Sequence, residues 1–312
     1  RAGAFRRPPA LAATRRVAAV PEMTHRRAVA LMVLVTLLWS IAGVVTRQLE
    51  AARSFEVTFW RSAFNALALA ALLTVMRGPV LWRGLLQSPR AVWLSGVCWA
   101  VMYTAFMVAL TLTTVANVLV TMAIGPLVTA LFARFFLKRS LPWWNWGAIL
   151  VAGAGIAWMF SAEVATGGSL LGSLVACAVP LAGAINLTVL QQASEAGESA
   201  PDMLPAILIG ALLSALSSLP LAWPLQASNH DLSLLALLGV VQLAVPCLLM
   251  VRLSRQLPAP EMALLALLEV IFGVAWAWLG AGEQPARTVL FGGGLVLAAL
   301  VANQLFTLRR TG

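Results

Sequence analysis

Two ionisable residues of this sequence stand inside long apolar stretches. Glu269 lies in LLALLEVIFG and Arg61 lies in FEVTFWRSAFN. A charge at the centre of a membrane-spanning helix costs about 2.5–3.5 kcal/mol on insertion scales, so such residues are rare and commonly functional. We interpret both as candidates for a central cavity, with Arg61 facing an anionic group and Glu269 facing a cationic group or a proton. The alternatives are a structural ion pair, or an arginine that extends to the membrane interface.

Polar and aromatic side chains in the same stretches could line that cavity. An amide or hydroxyl group at membrane depth either hydrogen-bonds a ligand or joins two helices, and tryptophan rings supply flat walls. The candidates for ligand contact are Asn65, Tyr103, Asn117, Gln242, Trp39 and Trp276, and residues of the same kind are Asn186, Trp60, Trp99 and Trp278.

Prolines inside predicted helices mark candidate hinges. Each removes a backbone hydrogen bond and permits a kink. The hinge candidates are Pro126, Pro180 and Pro246, with Pro205 as a fourth. The patterns Gly168-x-x-x-Gly172 and Gly292-Gly293-Gly294 predict close helix contact, either within one chain or between two.

The composition is that of a membrane protein. Of the 312 residues, 61% are hydrophobic and 10% are charged, and the mean hydropathy is +0.91. Soluble domains average about 45–50% apolar and about 25% charged residues. The net charge of +10 does not indicate nucleic acid, because seven of the 21 basic residues precede the first apolar run and most others lie in short turns. That distribution is typical of the cytoplasmic face of a membrane protein.

The few residues suited to metal binding are dispersed. Cys98, Cys177 and Cys247 all lie inside apolar runs without the spacing of a metal site. We interpret them as small buried apolar side chains. The sequence therefore predicts no metal and no cofactor.

Ten segments are long and apolar enough to span a bilayer, which takes about 20 residues. They are residues 28–46, 56–76, 91–110, 115–136, 143–160, 169–189, 202–222, 232–251, 260–280 and 287–307. The connections between them are short, so any activity must lie within the membrane. Basic residues concentrate in the turns after the second, fourth, eighth and tenth segments, which predicts that both termini are cytoplasmic.

Two parts of the chain are similar at an offset of 144 residues. Residues 117–160 and 261–306 each contain an apolar run, a tight turn and a second apolar run, and the offset aligns Asn117 with Glu261, Gly125 with Glu269 and Arg139 with Glu283. Ten helices in two groups of five give halves of opposite orientation, as in many secondary transporters. The predicted fold is an all-α membrane protein of two inverted five-helix repeats, residues 28–160 and 169–307, around a central cavity.

Four stretches resemble the drug/metabolite transporter superfamily in its ten-helix EamA-type branch. They are LLWSIAGVVTRQL at 37–49, FEVTFWRSAFNALALAALL at 55–73, ALTLTTVANVLVTMAIGPLVTALFARFFLKRSLP at 109–142 and APEMALLALLEVIFGVAWAWLGAGEQP at 259–285. Two departures stand out: Arg139 replaces a common glutamate, and Val270 replaces a common proline of the second half. The resemblance implies a carrier of amino acids, drugs or other small metabolites, mainly outward, and leaves its cargo open.

The predicted function is therefore secondary active export of small metabolites such as amino acids or drug-like compounds by alternating access, with Glu269 as the candidate for proton coupling. A lipid-linked sugar translocase of the same superfamily is the alternative. An intramembrane enzyme is disfavoured because His25 and His230, the two histidines, lie in the tail and in an outer loop, and no Gly-x-Ser-x-Gly context exists. ATP does not drive transport directly, since no Walker motif is present.

The ends of the chain are expected to be tails. Residues 1–27 form a basic N-terminal tail, of which 1–22 are expected to be disordered or non-native because Met23 precedes the first apolar run, and 308–312 form a cytoplasmic C-terminal tail. The expected location is the bacterial inner membrane. Expected partners are the small-molecule substrate and membrane lipids, without nucleic acid, for a monomer or a homodimer.

Overall fold

The computed structural model describes residues 24–136, 142–165, 170–195, 201–253, 256–257 and 259–311, and within these ranges no strand occurs. The predicted tail at 1–22, the turn that contains Arg139, and Gly168 lie outside the described residues. The helices are α1 (His25–Ser40), α2 (Ala42–Thr46), α3 (Ser54–Arg77), α4 (Val80–Leu86), α5 (Arg90–Leu112), α6 (Val115–Met122), α7 (Gly125–Phe136), α8 (Trp143–Ala165), α9 (Leu171–Glu195), α10 (Leu204–Ala222), α11 (Asn229–Leu237), α12 (Val245–Leu253), α13 (Ala259–Ala281) and α14 (Arg287–Thr311). A π-helical stretch, Leu238–Ala244, connects α11 to α12 and is called the π segment below.

Seven helical stretches of the described ranges are long and apolar enough to cross a membrane. They are His25–Thr46, Phe55–Arg77, Arg90–Leu112, Val115–Phe132, Leu171–Leu190, Leu204–Ala222 and Asn229–Leu253, with shorter apolar helices at Leu265–Ala281 and Arg287–Asn303. Helices pair their own backbone N–H and C=O groups, as a lipid environment without hydrogen-bond partners requires. The predicted all-α membrane protein is confirmed, while the count of ten spans and the inverted repeat stay predictions.

Three segments that were predicted as continuous helices are interrupted: residues 28–46 divide at Ile41 into α1 and α2, and proline explains the other two. Residues 115–136 form two helices, because Pro126 has no N–H to donate to the carbonyl of Met122 and α6 ends there. Residues 232–251 contain the π segment, since Pro246 likewise has no N–H for an α-helical bond to Gln242. Pro205 differs from its prediction as a kink site. It lies in the first turn of α10, where its missing N–H costs no helical bond.

The core lies between the two predicted halves of the chain. The most extensive helix contacts join α5 to α9, α3 and α5 to α10, and α8 to α14. Close approach requires small residues at the crossing points. Between α8 and α14, a Cβ added to Gly155 would lie 2.8 Å from the carbonyl oxygen of Gly292, so any side chain there would push the helices apart. The predicted contact at Gly292 is therefore formed within the chain.

Two buried carboxylates fix the loops at one end of the helix bundle. Both oxygens of Asp231, at the start of α11, accept backbone N–H groups from Glu50, Ala51 and Ala52 at 2.8–2.9 Å. One oxygen of Glu56, in the first turn of α3, accepts backbone N–H groups of the loop before α11 at 2.7 and 2.8 Å. The two residues are 0% and 3% exposed. They hold the connections 47–53 and 223–228 in place over the helix ends.

Replacing Asp231 by Asn is expected to destabilise the folded chain by about 2 kcal/mol, since hydrogen bonds to a buried charge are the strong kind. The amide turns one acceptor oxygen into a donor that faces backbone N–H groups. Chemical denaturation of the purified protein measures the change. Ser233→Ala is the matched control, because its hydroxyl makes an exposed bond to the His230 carbonyl in the same helix. Equal stability of the two variants would contradict the assignment.

Candidate functional site

The π segment brings an amide of the second half of the chain onto Arg61. Both the Nε and the Nη2 groups of Arg61 donate to Oε1 of Gln242, at 3.2 and 2.8 Å. Gln242 is oriented in turn, because its Nε2 donates to the carbonyl of Trp39 at 3.2 Å. Gly239 permits this approach: a Cβ there would lie 2.6 Å from the Arg61 carbonyl oxygen. A π-helical turn commonly marks a functional site, and here it places Gln242.

Arg61 is fully enclosed yet only partly satisfied. It is 1% exposed and its guanidinium lies 5.6 Å from the ring centroid of Phe106. Its Nη1 has no hydrogen-bond partner among the described residues. A buried cation normally pairs with a carboxylate, because desolvation without a partner is costly. The free Nη1 therefore provides donors for a ligand anion.

Further polar atoms without partners occur on Asn65, one helical turn from Arg61, and on Trp99, beside Tyr103. Neither the Oδ1 nor the Nδ2 atom of Asn65 forms a hydrogen bond to the described residues, although the amide lies near the Tyr103 hydroxyl. The indole Nε1 of Trp99 is also without a partner there. Buried polar groups are almost always satisfied, so a cluster of exceptions calls for a ligand or water. Donors predominate in this cluster, which suits an acceptor-rich group such as a carboxylate.

Tyr103 borders the same cluster. Its hydroxyl donates to the sulfur of Cys247 at 3.7 Å, and its ring lies 5.5 Å from that of Trp99, centroid to centroid. Tyr103 and Cys247 are 3% and 0% exposed. The structure thus brings together Arg61, Asn65, Tyr103, Gln242 and the backbone of Trp39, from helices α1, α3 and α5 and the π segment.

Glu269 lines a separate small cavity between α13 and the interruption of α6 and α7. The cavity has a volume of about 90 Å³ and is lined by Leu119, Met122, Ala123, Pro126, Ala266, Leu267, Glu269 and Val270. Glu269 is half-buried, and no described residue hydrogen-bonds or pairs with its carboxylate.

The cavity is too small for a substrate in this conformation. At about 30 Å³ per water it holds about three water molecules, whereas ligand pockets have volumes of about 300 Å³ or more. A ligand that contacts both Arg61 and Glu269 therefore requires the helices between them to separate. The interruption at residues 123–124 borders this space.

Two predicted site residues lie elsewhere. Trp276 is 41% exposed on α13, and Asn117 is buried at the start of α6, where its Nδ2 donates to Thr113 at 3.1 Å. Pro126 lies beside Glu269 and Pro246 follows the π segment, while Pro180 lies within the continuous helix α9. No group of three or more His, Cys, Asp or Glu side chains suited to a metal occurs in the described ranges.

Sequence reasoning missed Phe106 and the role of Cys247, and it treated Trp99 only as a possible wall. Phe106 had no signal, because one phenylalanine in an apolar helix cannot be distinguished from its neighbours. The sequence did contain a signal for Gln242. It lies four residues before Pro246, which has no N–H to form the α-helical hydrogen bond to the Gln242 carbonyl.

Comparisons with known proteins agree with this architecture. Residues 26–161 match the model of the EamA-like transporter family. The search of curated proteins finds no match. A solved chain titled "Crystal structure of protein" is similar with a TM-score of 0.65 and 18% identity, over 93% of this chain and 100% of that one. At this identity the structural likeness shows the fold alone. The family match confirms the resemblance for residues 26–161, and it implies a membrane transporter of the drug/metabolite transporter superfamily.

Proposed function

We propose, from the match of residues 26–161 to the EamA-like family model, that this chain is a secondary transporter that exports small zwitterionic metabolites, such as amino acids, by alternating access. The observation that carries the proposal is the pair of opposite charges inside the bundle. Arg61 is 1% exposed, Glu269 lines an internal cavity, and no ion pair joins them among the described residues. A zwitterion carries the two complementary groups at once.

Arg61 is the proposed site for the carboxylate of the substrate. Its Nη1 has no partner in the described part of the chain, and the unpartnered amide of Asn65 lies one helical turn away on the same helix. Guanidinium groups suit carboxylates because their donors form a planar fork. Gln242 keeps the fork in place through its two hydrogen bonds.

Glu269 is the proposed site for the ammonium group of the substrate and, alternately, for a proton. The other seven residues that line its cavity have apolar side chains. Hard metal ions require several oxygen ligands, which this lining does not supply, whereas a proton needs one carboxylate. Because a protonated Glu269 cannot bind an ammonium group, proton and substrate exclude each other. Exclusion of this kind yields proton/substrate antiport, and an inward proton gradient then drives export.

The cavity supports the proposed ten-helix inverted repeat. Residues that correspond under the 144-residue offset face each other across it: Met122 and Ala266, Ala123 and Leu267, and Pro126 and Val270. Positions related by a pseudo-two-fold axis meet at that axis, which is where transporters of this design bind substrate. We place the chain in a bacterial inner membrane with both termini cytoplasmic, as a monomer or homodimer.

A set of matched ligands tests the proposed substrate class. The three ligands share an apolar chain. Leucine carries both charges, 3-methylbutylamine carries the positive charge alone, and 4-methylpentanoate carries the negative charge alone. Proteoliposomes preloaded with unlabelled leucine are expected to accumulate labelled leucine by exchange, and each single-charge analogue should compete about tenfold or more weakly. An amine that competes as well as leucine, with an inactive carboxylate, would show a carrier of cations and overturn the proposal.

A further inference from the structure

Arg47 joins three structural elements at the end of the bundle where the loops after α2 and α13 meet. Its Nη1 donates to the carbonyl of Leu110 at 2.7 Å and its Nη2 to the carbonyl of Thr113 at 2.8 Å, both at the end of α5. Its Nε donates to Oε2 of Glu283 at 2.9 Å. The guanidinium therefore connects the C-terminal end of α5 to Glu283, in the loop after α13.

Glu283 extends this connection to α6. Its other oxygen, Oε1, accepts the backbone N–H of Val115, the first residue of α6, at 2.7 Å. A carboxylate at a helix N-terminus is stabilised by the unpaired N–H groups there. The Arg47–Glu283 pair thus ties the start of α6 to the end of α13, and with them the two predicted halves of the chain.

The same two helices form the wall of the cavity at Glu269. Leu119 of α6 lies one turn beyond Val115 and lines that cavity. Between the pair and the cavity, α6 and α13 contact through apolar atoms: a Cβ on Gly273 would lie 2.4 Å from Cδ1 of Leu119. A surface concavity of about 330 Å³ is lined in part by Arg47 and Arg53. The pair therefore lies at the edge of an open concavity and holds α6, whose Leu119 lines the cavity at Glu269.

We propose that Arg47 and Glu283 form a gate of the transport path, which closes the α6–α13 contact in this conformation and opens in each transport cycle. The proposal rests on alternating access as proposed above, because only a carrier needs this contact to separate.

The exposure of the pair suits a reversible contact. The side chains of Arg47 and Glu283 are 29% and 15% exposed, so water can replace their mutual bonds when they part. Ion pairs in contact with solvent are worth little. Asp231 and Glu56, at the same end, are almost fully buried, and each accepts two or more backbone N–H groups. Asp231 and Glu56 therefore hold their loops in a fixed position, whereas the exposed Arg47–Glu283 pair can separate.

Accessibility of a thiol in the cavity tests the gate without any substrate. The thiol is introduced by Ala123→Cys, a lining residue that is 6% exposed, after Cys98, Cys177 and Cys247 are replaced by Ala. A membrane-impermeant maleimide is then added to either side of sealed vesicles. Glu283→Gln keeps an acceptor for Val115 and removes the charge that holds Arg47. We expect it to raise the labelling rate about two- to fivefold from one side only, and Arg47→Gln to do the same.

Gln48→Ala is the matched control, because Gln48 Nε2 also bonds to the end of α13, at the Gly280 carbonyl at 3.2 Å, without charge. We expect it to change labelling less than twofold. Hydrogen exchange of residues 115–124 gives a second measurement that needs no cysteine replacement, and Glu283→Gln should accelerate it. Unchanged labelling and exchange in Glu283→Gln, or an equal effect of Gln48→Ala, overturns the gate. If Glu283→Gln raises the labelling rate but the proteoliposomes do not exchange leucine, only the proposed substrate class is overturned and the gate stands.

Discussion

Replacing Glu269 with Gln is expected to abolish the pH dependence of substrate affinity in the proposed carrier. Under the proposed antiport, a proton and an ammonium group compete for one carboxylate in the unmodified chain. Affinity is therefore highest at alkaline pH and falls as the pH is lowered, by up to tenfold per unit once the protonated form dominates. A neutral amide at 269 takes part in neither binding event. We expect affinity at least about tenfold weaker, from loss of a charge-assisted bond, and constant within twofold from pH 5 to 9.

Leucine exchange in proteoliposomes at several pH values, with and without an imposed pH gradient, measures this. The variant should still exchange leucine at equal pH on both sides but fail to concentrate it against a gradient. Glu50→Gln is the control for general electrostatic effects, because the side chain of Glu50 is 70% exposed near His230. The ionisable groups whose charges act on Glu269 or respond to it are Arg61 and Cys247. A variant that keeps the pH profile and gradient-driven uptake would remove Glu269 from the coupling mechanism.

Hydropathy predicted the features of this molecule that follow from the polarity of each residue by itself. An apolar run must be helical in lipid whatever its neighbours are, so the helical class followed from composition. The offset that aligned Gly125 with Glu269 drew attention to the charge at that position, and Glu269 lines a cavity together with Pro126; the repeat itself stays a prediction. Insertion cost alone singled out Arg61 and Glu269.

Contacts that depend on how helices cross could not be predicted in this way. Arg61 and Gln242 are 181 positions apart, and their pairing requires both Gly239 and the π segment that precedes Pro246. The loops after α2 and α13 show the same limit. Arg47 and Glu283 are two charges in two turns, 236 positions apart, and each is an ordinary solvated residue until packing brings the turns together.

Replacing Arg61 with Gln is expected to weaken leucine binding by at least about thirtyfold. Removal of one partner from a buried charge contact costs about 2 kcal/mol or more, and Gln retains only a neutral donor. Arg61→Lys keeps the charge but lacks the planar fork, so it should bind with intermediate affinity. Isothermal titration or exchange kinetics of the purified variants measures the loss. Arg83→Gln, at an exposed arginine of α4, is the matched control and should bind leucine normally.

Stability distinguishes a binding role of Arg61 from a structural one. A guanidinium that is 1% exposed, with a free Nη1 and no carboxylate bonded to it in the described part of the chain, carries a desolvation cost that its bonds to Gln242 only partly offset. Without substrate, Arg61→Gln should therefore unfold at the same or a higher temperature than the unmodified chain, while losing the stabilisation that leucine gives. A structural arginine would behave in the opposite way. Its loss would lower the unfolding temperature and leave the affinity of the remaining folded protein intact, and that result would assign Arg61 to the scaffold.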